Sequence, residues 1–311
     1  MTAASSPAGP TGDHPAARGP LVLLATCRDL PDLDAEGQGL VRALRRRGAD
    51  ARPAVWDDGG VDWAAADLVV VRSTWDYVPR RTAFLAWAEG VAAVTALENP
   101  PDLLRWSTDK TYLEDLQEAG LPVVPSVLLA PGDGEEHPFL DREHVVKPTV
   151  SAGSKDTLRL GAQEGERSRA HVRALHAGGR TALVQPYLAG VDEDGETAVV
   201  VLDGRVHHAV RKGPLLRRSA DVVDGLFAPE EITAREPSAA EVDVARRALD
   251  VVRARTGAVP LYARVDLLPS PDGPQLLELE LAEPSLFLDA VPGAPAAAAE
   301  AVLSRLGPPR G

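Results

Sequence analysis

Two stretches near the C-terminal end decide the reading: Tyr262-Ala-Arg-Val-Asp-Leu-Leu268 and Leu276-Leu-Glu-Leu-Glu-Leu-Ala-Glu-Pro284. Both alternate, and side chains two apart on a strand share a face. Arg264 and Asp266 therefore lie on one side of the first strand, and Glu278 and Glu280 on one side of the second. Val265, Leu267, Leu277, Leu279 and Leu281, interleaved with them, mark the core side. The turn-rich residues 269–274 make the two strands a pair. In the register that sets Asp266 against Glu278, one surface holds three carboxylates and an arginine. Such a surface repels itself unless something positive sits in it. Mg²⁺ suits it, because that ion takes oxygen ligands and usually phosphate oxygens as well. The alternative is an exposed face whose charges pair across the strands.

Working outward, Val145-Val-Lys-Pro-Thr-Val-Ser-Ala-Gly-Ser154 ends an apolar strand on a lysine and follows it with small residues. Such a loop exposes backbone N–H groups, as a phosphate cradle does. It is not a Walker A motif, and no GxGxxG follows the first strand, which counts against a dinucleotide oxidoreductase. Trp106-Ser-Thr-Asp-Lys-Thr-Tyr-Leu113 places Lys110 in the first turn of an expected helix. A cation there opposes the helix dipole and calls for an anionic partner. Ala182-Leu-Val-Gln-Pro-Tyr-Leu188 reads as a strand leading into a proline-containing hinge, able to offer backbone groups to an adenine edge. Glu196, beyond it, could accept from ribose hydroxyls. Alternatively it pairs across the sheet, since a two-residue Asp203-Gly204 turn sets it opposite Arg211.

The remaining pattern is α/β. Strands are expected at 21–26, 68–72 and 91–97, with helices at 35–47, closed by Gly48, and 81–89. That alternation implies a parallel sheet covered on both faces. Further on, strands fall at 143–148, 157–160, 182–188, 196–202, 205–212, 261–268 and 275–281. Helices fall at 109–118, 167–177 and 238–255, the last opened by a Ser238/Glu241 capping box. Arg72 ends the second strand, where open α/β sheets bind ligands. It is a candidate for holding a carboxylate, with Trp75 and Asp76 shaping the pocket. His207 and His208 alternate faces, and His208 is the substrate-side candidate.

The chain has 311 residues, 44% hydrophobic and 25% charged, as expected of a two-lobed soluble protein. No apolar run reaches the ~18 residues of a membrane span. A net charge of −13 argues against a nucleic-acid groove. Cys27 is the sole cysteine, so no internal disulfide forms, and the cytosol is the expected compartment. Residues 1–19 read as a disordered tail rather than a secretion signal. Arginine supplies nearly all the cations. Lysine occurs only at Lys110, Lys147, Lys155 and Lys212, and asparagine only at Asn99. Residues that rare invite the question of what keeps them.

The order of these pieces resembles the ATP-grasp superfamily over residues 20–306. Arg72-Ser-Thr-Trp-Asp-Tyr77, the segment around Lys110, Lys147 with its loop, Gly195-Glu-Thr197 and His208-Ala-Val-Arg-Lys212 resemble a narrower branch. That branch includes the D-cycloserine synthetase type of ligase, akin to glutathione synthetase and RimK-type enzymes. The resemblance implies a parallel-sheet substrate lobe (20–108), a central subdomain (109–188) and a C-terminal subdomain (189–311) that clasp ATP. It implies that Lys110, Lys147, Gly153 and Ser154 contact phosphates, Gln185, Tyr187 and Leu188 hold adenine, and Glu196 holds ribose. Asp266, Glu278 and Glu280 would bind Mg²⁺ or Mn²⁺, although the superfamily often has Asn where Glu280 stands. Arg264 and Lys212 would stabilise the transferring phosphoryl. The implied activity is ATP-dependent C–N ligation through an acyl phosphate. The implied substrate is a small molecule carrying a carboxylate and a nitrogen nucleophile, in specialised metabolism, with ring closure when both sit on one molecule. Intermolecular amide ligation, a small-molecule kinase and a non-catalytic nucleotide-binding module are the alternatives. Related ligases are often dimers or tetramers, which leaves room for a homo-oligomer.

Overall fold

The computed structural model describes residues 19–214, 216 and 231–307, so nearly all of the expected tail lies outside the described residues. The first lobe contains β1 (Leu21–Thr26), α1 (Ala35–Arg46), β2 (Asp50–Val55), β3 (Leu68–Ser73), α2 (Arg81–Ala92), β4 (Leu97–Glu98) and α3 (Pro101–Ser107). Its strands form a parallel sheet in the order β2-β1-β3-β4. Asp34 caps α1 by accepting from the Gly37 N–H at 3.0 Å, and Gly48 at φ 89° turns the chain out of it.

One expectation fails here and two elements were not foreseen. The edge strand β2 escaped notice because Pro53 interrupts its pattern, which only an edge tolerates. Of the strand expected at 91–97, Val91 and Ala92 instead end α2, whose Phe84, Leu85, Ala88 and Val91 are buried at helical spacing, residues 93–96 are turn, and only Leu97–Glu98 pairs with β3. α3, opened by Pro101, was not foreseen.

The central part holds α4 (Tyr112–Glu118), β5 (Val127–Leu129), β6 (His144–Pro148), β7 (Leu158–Leu160), α5 (Gly165–Ala177) and β8 (Ala182–Pro186). Its sheet runs β5-β8-β6-β7, all antiparallel, with Val172 and Leu175 of α5 packed on it. The C-terminal part holds α6 (Gly190–Asp194), β9 (Glu196–Leu202), β10 (Arg205–Lys212), β11 (Ile232–Arg235), α7 (Ala239–Thr256), β12 (Tyr262–Leu268), β13 (Gln275–Glu280) and α8 (Ala294–Ser304). Its antiparallel sheet is ordered β11-β10-β9-β12-β13. The Ser238/Glu241 capping box opens α7, and Gly257 at φ 70° ends it.

Period-two alternation gives this last sheet two different faces. Val199, Val201, Ala263, Val265 and Leu267 pack in one core with Val244, Ala248 and Val252 of α7. The opposite face is divided along its length. Val200, Leu202 and Tyr262 join the core of the first lobe, together with α1 and α8, while Glu196, Arg264 and Asp266 face a cavity. The lobes are therefore fused through one strand face. Asn99, fully buried, fastens the seam. Its amide donates to the carbonyls of Tyr262 (3.0 Å) and Leu281 (2.7 Å), and its oxygen accepts from the Leu261 N–H (2.8 Å).

Asn99→Leu, close in volume, leaves three buried backbone groups unpaired. We expect it to cost about 3–5 kcal/mol, read as a drop in denaturant midpoint of the full chain. A change under about 1 kcal/mol would show that the seam does not depend on this residue.

Candidate active site

The three parts meet around a cavity of about 460 Å³. Its charged wall is the hairpin face read from the sequence. The register sets Arg264 opposite Glu280 and Asp266 opposite Glu278, as expected, with a bulge following Asp266. Arg264 clamps Asp266 through Nε to Oδ1 and Nη2 to Oδ2, both at 2.8 Å, and also reaches Glu280. Lys147, the penultimate residue of β6, crosses the cavity to Glu278 at 2.6 Å.

Lys110 also approaches Glu278, at 3.8 Å, and donates to the carbonyl and hydroxyl of Ser151 at 3.1 and 3.0 Å. It precedes α4 rather than opening it, so the dipole argument for it does not hold. Its backbone N–H bonds the Thr149 carbonyl at 2.9 Å, which ties it to the loop after Lys147. In that loop Gly153 and Ser154 take φ of 62° and 60°, and both line the cavity.

Lys212 lies 2.6 Å from Glu196 and 3.4 Å from Asp266. A uniform hairpin would have set Glu196 against Arg211. A bulge between Val206 and His208 shifts the register so that Glu196 faces Lys212. One extra residue transfers every following side chain to the other face, so the bulge delivers Lys212 to the cavity and leaves Arg211 outside.

Burial alone raises every carboxyl here, and the neighbours then separate them. At Asp266 the Arg264 and Lys212 charges outweigh burial and hold the group well below its ordinary value. Lys110 and Lys147 do the same for Glu278. At Glu196 burial prevails over Lys212, and the pKa is raised. At Glu280 burial and the repulsion of Asp266 and Glu278 prevail over Arg264, and it is raised too. Asp266, Glu278 and Glu280 supply oxygen donors on one face, the chemistry a hard divalent cation requires. Among the described residues no three acidic, histidine or cysteine side chains converge as a metal cage; these carboxylates are held by Lys and Arg instead.

The opposite end is apolar. Gln185, Tyr187 and Leu188 line it with Val145, Val191 and Leu277. Gln185 is pinned by Ser126 at 2.9 Å. The Arg159 guanidinium lies 3.4 Å over the Tyr187 ring and makes paired bonds to Asp192, which also accepts from the Tyr187 hydroxyl at 2.6 Å. Sequence reasoning missed Arg159 and Asp192. The available signal was an arginine inside the apolar strand Leu158-Arg-Leu160.

The first-lobe candidates divide. Trp75 lines the cavity and donates from Nε1 to the Glu283 carbonyl at 3.0 Å. Arg72, Asp76 and His208 do not line it. Arg72 is buried against Glu36 at 2.6 Å and donates to the Pro284 carbonyl at 3.1 Å. Asp76 accepts from the Trp56 indole at 2.7 Å. His208 bonds the Leu286 carbonyl at 2.8 Å, and burial pushes its pKa down to about 4, so it stays neutral. Glu36 accepts from the N–H groups of Leu286 and Leu288, each at 3.0 Å. Arg72, Glu36 and His208 thus hold the segment 284–288, whose Ser285 and Phe287 reach the cavity. Arg72 lacked a visible partner in the sequence because Glu36 lies 36 residues away.

A parallel-sheet lobe joined to two antiparallel subdomains, with cationic and carboxylate side chains facing one cleft, defines an ATP-grasp ligase. A family model described as "D-cycloserine synthetase DcsG, N-terminal domain" matches residues 22–99. The cycloserine biosynthesis protein DcsG of Streptomyces lavendulae is 38% identical over 304 residues, spanning 93% of this chain and all of that one. The chain belongs to the DcsG family of ATP-grasp enzymes and is an ATP-dependent ligase. A crystal structure of D-cycloserine synthetase DcsG superposes with a TM-score of 0.84 at 36% identity, over 92% of this chain and 100% of that one. The ATP-grasp ligase PsnB, solved with a minimal precursor, Mg and ADP, shares the fold at a TM-score of 0.59 and 22% identity, over 92% and 97% of the two chains. Among the described residues no helix is long and apolar enough to cross a membrane.

Arg264→Met leaves Asp266 without its main counter-charge. Loss of one partner of a buried pair costs about 3–5 kcal/mol. The depressed Asp266 carboxyl contributes stability above its unfolded pKa, and that stability is lost as pH falls through its folded pKa. The variant should therefore be less stable at neutral pH and lose less on acidification than the parent. Chemical denaturation from pH 7 downward measures both, and parallel losses would contradict the assignment.

Proposed function

We propose that the protein is an ATP- and Mg²⁺-dependent C–N ligase that activates a small amino-acid-like carboxylate as an acyl phosphate and closes a ring through a nitrogen of the same molecule. The carrying observation is the single cavity in which Lys110, Lys147, Lys212 and Arg264 oppose Asp266, Glu278 and Glu280. The full-length likeness to DcsG supports cycloserine-type ring closure.

In this reading Gln185, Tyr187 and Leu188 hold adenine in the apolar end, and Glu196 takes the ribose. Lys110, Lys147, Gly153 and Ser154 bind the phosphates. Asp266, Glu278 and Glu280 would hold the metal, which would supply positive charge against the phosphates. Residues 20–108 form the substrate lobe, and 109–188 and 189–311 the two nucleotide subdomains.

The substrate carboxylate attacks the γ-phosphorus, and ADP leaves. Arg264 and Lys212 lie beside Asp266, where they can balance charge on the transferring group. The nitrogen then attacks the acyl carbon, and phosphate leaves. Because both ends sit in one cleft, the second step is intramolecular and gains effective molarity. The cleft excludes water that would hydrolyse the acyl phosphate.

The test is incubation with ATP, Mg²⁺ and a panel of small amino acids bearing side-chain nitrogens, O-ureido-serine among them. ADP and phosphate release and product mass are followed. We expect one panel member to drive release and give a ring-closed product. Lys147→Ala and Glu278→Ala should each lower the rate by about 10²-fold or more. A phosphorylated product without free phosphate would mean a kinase, and no ATP binding would sink the reading.

A further inference from the structure

Of the five carboxylates in the cavity wall, four have a cationic partner. Glu196 has Lys212, Asp266 has Arg264 and Lys212, Glu278 has Lys147, and Glu280 has Arg264. Among the described residues no ion pair reaches the fifth, Glu283. Tyr77 lines the same cavity and acts on its carboxyl. We propose that Glu283, with Tyr77, forms the subsite for the attacking nitrogen of the substrate and takes the proton that nitrogen gives up. The proposal rests on the ligase reading above.

The chemistry asks for such a group. The nitrogen lone pair forms the N–C bond, the C–O bond to phosphate breaks, and phosphate leaves with that electron pair. The proton lost from nitrogen must go to a base inside the cleft, and from there to solvent. A carboxylate clamped by lysine or arginine is a poor choice, because its partner holds it ionised and lowers its basicity. Asp266 and Glu278 are in that state. Glu196 and Glu280 are raised in spite of their partners, but the ligase reading commits them to ribose and metal, which leaves Glu283.

Its surroundings fit the role. Glu283 lies three residues beyond Glu280, past the end of β13, where the first lobe closes the cavity with Trp75 and Tyr77. The Trp75 indole fixes its carbonyl, and Tyr77, 3% exposed, stacks on Phe84 at 4.9 Å. Glu283 thus sits at the edge of the C-terminal subdomain, against the lobe expected to carry the substrate. The titratable and charged groups acting on it are Tyr77, Glu280, Lys110 and Arg264. Burial first, then the charge of Glu280, push its pKa up to about 8. A base works best when its pKa lies near the operating pH.

The test separates the two half-reactions. The parent, Glu283→Gln and Tyr77→Phe are given ATP, Mg²⁺ and the panel member that drives ADP release, with hydroxylamine added to trap acyl phosphate as the hydroxamate. We expect Glu283→Gln to bind ATP as the parent does and to form ADP and trapped hydroxamate. Its ring-closed product should fall by about 10²–10⁴-fold, and the acidic limb of product formation, where the parent loses rate as the base is protonated, should flatten. Tyr77→Phe should show a smaller loss in the same step. Product formation by Glu283→Gln at the parent rate would overturn the proposal alone. So would equal losses of ADP and product. Failure of the parent itself to release ADP with every panel member would overturn the ligase reading, and this proposal with it.

Discussion

The Arg264–Asp266 clamp is the interaction on which the site depends. Both side chains are at least 93% shielded from solvent, and an unpaired charge so placed is costly. Each answers the other, and each also has a second partner: Arg264 reaches Glu280, and Asp266 reaches Lys212. Lys212 links to Glu196, and Lys147 and Lys110 converge on Glu278. The cleft is thus a near-balanced array, and in the proposed reading its lysines would exchange protein carboxylates for incoming phosphates. A fully satisfied array is stable, yet each lysine can swing to an equivalent anion.

That array needs a rigid frame, and the frame is the seam between the first lobe and β12. Tyr262, Leu202 and Val200 enter the first-lobe core from the same strand face that displays Arg264 and Asp266 a few residues later. Asn99 and the Glu36–Arg72 pair lock the backbone on both sides of the hairpin's end. Burial raises Glu36, the Arg72 charge opposes that, and two backbone donors help satisfy the carboxylate. The lobe that carries Trp75 and Tyr77 is therefore placed against the charged face by core packing rather than by a flexible linker.

How much of this was legible follows the range of each signal. The hairpin face, its register and the Ser238 cap depend on residues close in sequence, and they read correctly. The pairing of Glu196 with Lys212 did not, because a single bulge at His207 reverses the faces and alternation alone cannot reveal it. Arg72 looked like a substrate ligand because strand ends in such sheets hold ligands. Its partner Glu36 comes from a different element, so only the folded chain shows the pair. Glu283 was passed over for a related reason. In a run of acidic residues nothing marks the one without a cation.

The composition makes sense at this level. The chain is acidic overall, at −13, yet three of its four lysines line the cavity. Arginine does nearly all the other cationic work, which includes stacking on Tyr187 and clamping Asp266. Both tasks use a planar fork with fixed geometry. A cation that must release one anion and take another is better served by a compact ammonium on a flexible stem. In the proposed reading lysine at these three positions serves that exchange, which would account for why residues so scarce elsewhere persist here. Asn99 persists for the opposite reason. Its amide offers two donors and an acceptor to three fixed backbone groups, and no common replacement matches that pattern.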